Sequence, residues 1–163
     1  FGSAETLHAV RRHLLANELF PVEPDFEWHT LTNSVPLPKK GTLTWIPLDH
    51  PGGSVGFRLD WPERSMAYIT DTTAPGSYTD FVRGVDVLVH ECYFPDDMDE
   101  WARKTGHSSS SNVANLAKAA SVKHLYLIHV DPQRPDDDPV ELDKIRAVFP
   151  HTDMAEDLME IEF

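Results

Sequence analysis

The sequence predicts an α/β layered domain in which a sheet is buried under helices. Two observations predict it. In the second half of the chain, short apolar runs alternate with segments whose apolar residues recur at helical spacing, as in strands joined by crossover helices. Polar, metal-competent residues also stand just past the C-terminal ends of these runs, the edge at which α/β sheets bind ligands. The 163 residues, 40% apolar and 25% charged, suit a single domain or part of one over 1–163.

The elements follow in order. Residues 3–17 read as an amphipathic helix capped by Ser3, with Leu7, Val10, Leu14 and Leu15 on one face. A Pro-rich stretch follows and holds a short strand at 26–31. Strands at 42–48 and 54–60 are joined by the turn Asp49-His50-Pro51-Gly52-Gly53. The run at 66–70 ends at Asp71, the run at 85–89 at His90 and Glu91, and the run at 125–128 at His129. Between the last two lies a helix at 111–120, with Val113, Leu116, Ala117 and Ala120 on one face. A loop containing Asp136, Asp137 and Asp138 leads to a helix through Val140, Leu142, Ile145 and Val148, and a strand at 154–163 closes the chain.

Composition narrows the function. Acidic residues outnumber basic ones 27 to 14, for a net charge of -13, and such a field disfavours broad nucleic-acid affinity. The one cysteine, Cys92, cannot form an internal disulfide, so cytoplasm is the expected compartment. No run approaches the ~20 apolar residues of a membrane-spanning helix. Cys92 has no Arg or Lys beside it to activate a thiolate, the four Trp residues are not interleaved with basic runs, and 136–138 lacks the Gly and Glu of a calcium loop.

His50, Asp71, His90 with Glu91, and His129 are therefore the candidate site. Any one of them alone is as well explained by a turn or a cap; together at one edge they point to a ligand. A fifth element, Gly106-His107-Ser108, precedes the 111–120 helix. There the helix dipole disfavours a cationic imidazole, and a neutral His107 can exchange a proton with an anionic reaction centre.

The segments His50-Pro-Gly-Gly-Ser-Val-Gly-Phe-Arg, Ile69-Thr-Asp71-Thr-Thr, Val85-Asp-Val-Leu-Val-His90-Glu91, Gly106-His107-Ser-Ser and Leu127-Ile-His129-Val resemble, in this order, the C-terminal half of a metallo-β-lactamase-fold hydrolase, and most closely the ribonuclease Z branch. The resemblance implies an αββα sandwich of which this chain is the C-terminal half. It implies a site for two divalent metal ions, zinc ahead of manganese or iron, with His50, Asp71 and His129 as ligands and Asp71 as the bridge. It also implies His107 as a proton-transfer residue, Glu91 as the acid that orients it, and His90 just outside the ligands. The reaction it implies is hydrolysis of a phosphodiester or other ester by metal-activated water.

Two departures qualify this. The family's His-x-His-x-Asp-His motif, which supplies further ligands upstream, does not occur, so the expectation is a half-site, weak or partial metal binding, no efficient turnover, and an N-terminal portion missing from the sequence. The bacterial forms carry a long insertion that grips transfer RNA, whereas 58–66 crosses that gap in one turn. With the charge, this ranks a small phosphoester or ester above RNA as substrate. The alternatives are a catalytically silent remnant or partner-binding module, an RNA-processing endonuclease of ribonuclease Z type, and a plain α/β domain with a fortuitous His-rich edge. A half-sandwich also exposes apolar sheet surface, which predicts self-association.

Overall fold

The computed structural model describes residues 1–22, 24–134 and 137–163; Asp136 of the acidic loop lies outside the described residues. These form two compact units, Phe1–Val35 and Pro36–Phe163.

In the first unit, helix α1 (Ala4–Ala9) starts as expected, with Ser3 Oγ accepting from Thr6 N at 3.0 Å. It does not run to residue 17: at Val10–Leu14 it widens into a π-helical turn, where Leu15 N donates to Val10 O. The cause is a face without cover, since α1 buries no residue and Leu14 is 58% exposed, so little tertiary packing supports a longer helix. The expected strand at 26–31 reduces to a single bridge between Gly2 and Thr30.

The second unit is built on a sheet whose seven strands lie in chain order. β1 (Ser34–Leu37), absent from the sequence reading, leads in. β2 (Gly41–Leu48), β3 (Ser54–Asp60) and β4 (Ser65–Ile69) form an antiparallel meander, and β5 (Val87–Glu91), β6 (His124–Ile128) and β7 (Thr152–Met154) continue it in parallel with β4. The last strand is three residues rather than the expected ten at 154–163. β5 is buried along its whole length, His90 and Glu91 included, as suits a strand paired in parallel on both sides.

Helices α3 (Ser110–Ala120) and α4 (Leu142–Val148) share one core with the sheet: Val113, Leu116, Ala117, Ala120 and Ile145 pack with Ala67, Ile69, Leu88, Leu125 and Leu127. A further helix, α2 (Asp99–Thr105), follows a 3-10 turn at Asp96–Met98. Its single buried residue, Ala102, explains why apolar spacing did not reveal it. Among the described residues no helix is long and apolar enough to cross a membrane.

Candidate metal and catalytic site

Strand direction explains why residues far apart in sequence meet. β2 and β4 both run antiparallel to β3 and hence share a direction, and β5 and β6 run parallel to β4. The C-terminal ends of four strands therefore open on one edge. His50 and Asp71 lie two residues beyond β2 and β4, His129 one beyond β6, and Glu91 ends β5.

At this edge Asp71 stands between two imidazoles. Its Oδ1 is 2.8 Å from His129 Nδ1, and its Oδ2 is 3.9 Å from His50 Nε2. His50 Nδ1 donates to the carbonyl of Gly106 at 2.9 Å, which orients the ring and turns Nε2 toward the carboxylate. Gly106 permits this contact. Its φ is +83°, and a Cβ there would run into Pro51 and stand 2.9 Å from His50 Nδ1. His129 itself has φ +53°, a left-handed conformation uncommon for a residue with a side chain and a form of strain that gathers at functional sites.

His107 completes the group, its ring centroid 5.1 Å from His50 and 5.3 Å from His129, with Tyr93 stacked on it at 4.7 Å. Burial holds its pKa below the ordinary imidazole value, His129 and His50 push the same way, and Asp71 opposes them. The direction is the one expected from sequence, with burial as the largest cause, and α3 begins at Ser110, three residues on. His107 Nδ1 is buried, lies 3.4 Å from Glu91 Oε1, and makes no hydrogen bond among the described residues.

Glu91 is fully buried and ties the loops together. Oε1 accepts from Thr72 N at 3.0 Å and Ser108 N at 2.9 Å, and Oε2 accepts from Tyr93 N at 3.1 Å. One carboxylate thus holds the neighbours of Asp71 and of His107 in register. Burial pushes its pKa up to about 8, against the pull of the three N–H donors.

His90 does not join the group. Side chains alternate along a strand, so His90 points away from Glu91, and its ring bonds to the Tyr78 hydroxyl at 2.7 Å and to the Glu91 carbonyl. The serines before α3 do not cap it either. Asp96 Oδ1 accepts from Ser111 N at 2.7 Å, while Ser108, Ser109 and Ser110 bond to Thr72 O, Asp99 and Val140 O. Cys92 is buried, and burial pushes its thiol up, away from nucleophilic use. His124, at the other end of β6, pairs with Asp153 at 2.7 Å.

The donor set suits a divalent cation in kind: a carboxylate with one imidazole at each oxygen and a backbone carbonyl fixing one ring. In number it is short. Among the described residues no group of three His, Cys, Asp or Glu side chains is arranged to hold an ion. Sequence reasoning missed Thr72 and Tyr93, which act through backbone N–H or ring stacking and carry no motif. It also missed Asp99, whose signal was the acidic first turn and basic last turn of α2.

A meander continuing into parallel strands under helices, with imidazoles and a carboxylate gathered on the edge, is the architecture of the metallo-β-lactamase fold. The chain belongs to the Beta-lactamase superfamily domain family, whose profile matches residues 1–130. Ribonuclease Z of Methanosarcina mazei is 40% identical over 101 residues, covering 62% of this chain and 33% of that protein. The chain spans about one third of the length of the curated relatives it matches. Among solved structures, the short form of human tRNase Z superposes with a TM-score of 0.74 at 20% identity, over 99% of this chain and 66% of that one. Zn(2+)-bound PqqB from Methylobacterium extorquens gives 0.71 at 15% identity, over 99% and 61%. At these identities the superpositions show the fold.

Proposed function

We propose that this chain carries one side of a metal-dependent hydrolase site acting on phosphodiesters. The observation that carries the reading is the placement of Asp71, one carboxylate oxygen toward His129 and the other toward His50, with His107 beside both. Asp71, His50 and His129 would hold divalent cations, zinc first, which supply charge that lowers the pKa of water and offsets that of a phosphodiester. His50 and His129 set one imidazole toward each oxygen of the Asp71 carboxylate. His107, held neutral by burial, exchanges a proton with the reacting oxygens at its exposed edge. Glu91 keeps the His107 and Asp71 loops at fixed separation.

The relatives named ribonuclease Z favour RNA as the phosphodiester. This reverses the order suggested by composition, where a charge of -13 and the short 58–66 turn placed a small ester first. Net charge is a property of the whole body, whereas phosphate recognition is local, so the relatives weigh more.

The test is zinc binding by equilibrium dialysis, with hydrolysis of bis(p-nitrophenyl) phosphate and of a short oligoribonucleotide in the presence of zinc or manganese. The native chain should bind zinc and Asp71→Ala should not; equal binding by both would overturn the assignment. The short donor count favours a second reading, a module that keeps the fold without turnover. Zinc binding with neither substrate cleaved is its signature.

A further inference from the structure

His107 also lines a cleft of about 540 Å³ whose other walls include Asp49, Thr73, Pro75, Arg103 and Asn112. Every element of its wall is held by the loops of the site. Asp49 follows β2 and its Oδ2 accepts from Thr73 Oγ1 at 3.2 Å; Thr73 N bonds back to Asp49 O. Across α2, Asp99 gathers Arg103 Nη1, Ser109 Oγ at 2.7 Å and Asn112 Nδ2 at 2.8 Å. Asp99 thus joins α2, the loop that carries His107, and the first turn of α3.

Charge gives this cleft a direction. A body at -13 repels a polyphosphate chain, so recognition of one needs a fixed cation at the site. Among the described residues Arg103 is the one Lys or Arg lining the cleft, and 62% of its side chain remains open to solvent. Of the two nearby carboxylates, Asp99 is paired with the Arg103 guanidinium and also accepts from Ser109 and Asn112, while Asp49 accepts from the Thr73 hydroxyl, which orients it without adding positive charge. Asp99 fixes the guanidinium through Nη1. A planar fork held at one nitrogen offers its other N–H groups to a phosphate in a preset orientation.

Resting on the hydrolase reading above, we propose that this cleft is a phosphate subsite. Arg103 receives the phosphate next to the scissile one, and Asp99 is the positioning residue that presents it. The site thereby selects a chain of linked nucleotides over an isolated phosphodiester. No bond is made or broken at Arg103, and the selectivity is one of binding.

The experiment compares triadenylate, which has two phosphates, with diadenylate, which has one, by fluorescence anisotropy on the 163-residue chain with zinc present. The native chain should bind triadenylate about tenfold more tightly, the scale of one charge-assisted hydrogen-bonded contact. Arg103→Gln should erase the difference and Arg103→Lys restore part of it. Lys118→Gln, which removes an equal charge from an exposed position of α3, should leave it intact. Equal binding of the two oligonucleotides by the native chain, or an undiminished preference in Arg103→Gln, would overturn the subsite. Asp99→Asn separates positioning from mere stability: it should narrow the preference in a chain whose urea midpoint stays within reach of native, and an unchanged preference would remove Asp99 from the proposal. Preference without zinc binding would overturn the hydrolase reading and leave the subsite standing, and preference with zinc bound but neither oligonucleotide cleaved would match the module that keeps the fold without turnover.

Discussion

Gly106 shows how one residue without a side chain sets the chemistry of another. Its left-handed φ and its contact with Pro51 leave no space for a Cβ, and its carbonyl orients His50. Gly106→Ala should cost at least about 1 kcal/mol, because an Ala at positive φ is strained and this one would also collide. Urea denaturation measures the loss, and zinc affinity should fall with it, since His50 must move; an unchanged zinc affinity would show that the carbonyl does not orient the ligand. His107→Ala tests a different role. The ion pairs of Asp71 go to His50 and His129, with the His107 ring beside them, so the variant should keep its zinc while hydrolysis drops by about 10²–10⁴, the usual contribution of a positioned proton donor. Parallel loss of zinc and rate would make His107 a ligand instead.

At the scale of elements, the N-terminus of α3 depends on a residue fifteen positions upstream. Asp96 accepts from both the N–H and the hydroxyl of Ser111, doing the work of a cap from outside the helix. Asp96→Ala should therefore destabilise the chain by about 1 kcal/mol, like the loss of a local cap, read as a lowered urea midpoint. A neutral result would mean that the tertiary packing of Val113, Leu116 and Ala117 alone holds α3. This cap also marks where sequence stopped being legible. The α3 helix and the runs ending at Asp71, Glu91 and His129 could be read because each buries a continuous apolar face, and burial is what periodicity records, while the β2–β3 hairpin was legible from the turn residues Asp49 to Gly53. Helix α2 and strand β1 could not, since they bury little of their own. The 3–17 helix and the 154–163 strand were read too long, because apolar spacing shows a face without showing whether anything covers it. His50, Asp71 and His129 were legible at the ends of strands. The partners that orient them, Gly106 O and the backbone N–H groups around Glu91, were not, since backbone groups leave no trace in residue type.

Two buried groups shape the pH response of the whole molecule in opposite directions. His90 is fully buried between Tyr78 and the Glu91 carbonyl, and burial lowers its pKa from 6.5 to about 4. A depressed imidazole means that the unfolded chain takes up a proton that the folded chain refuses, so its contribution is complete above 6.5 and is lost as pH falls toward 4. Glu91 has the opposite sign. Its pKa rises from 4.5 to about 8 through burial, the folded chain holds the proton more tightly, and its contribution grows as pH falls through that range. Between 4.5 and 6.5 the contributions of these two groups oppose each other and partly cancel. His90→Asn removes one of them without adding charge. Although less stable throughout for lack of the ring, this variant should gain stability relative to the native chain as pH falls from 6.5 to 4.5, measured as the difference between their urea midpoints at each pH. A constant difference across this range would show that His90 is protonated in the folded chain, and with that the tight Tyr78–His90 contact would have to be charged rather than neutral.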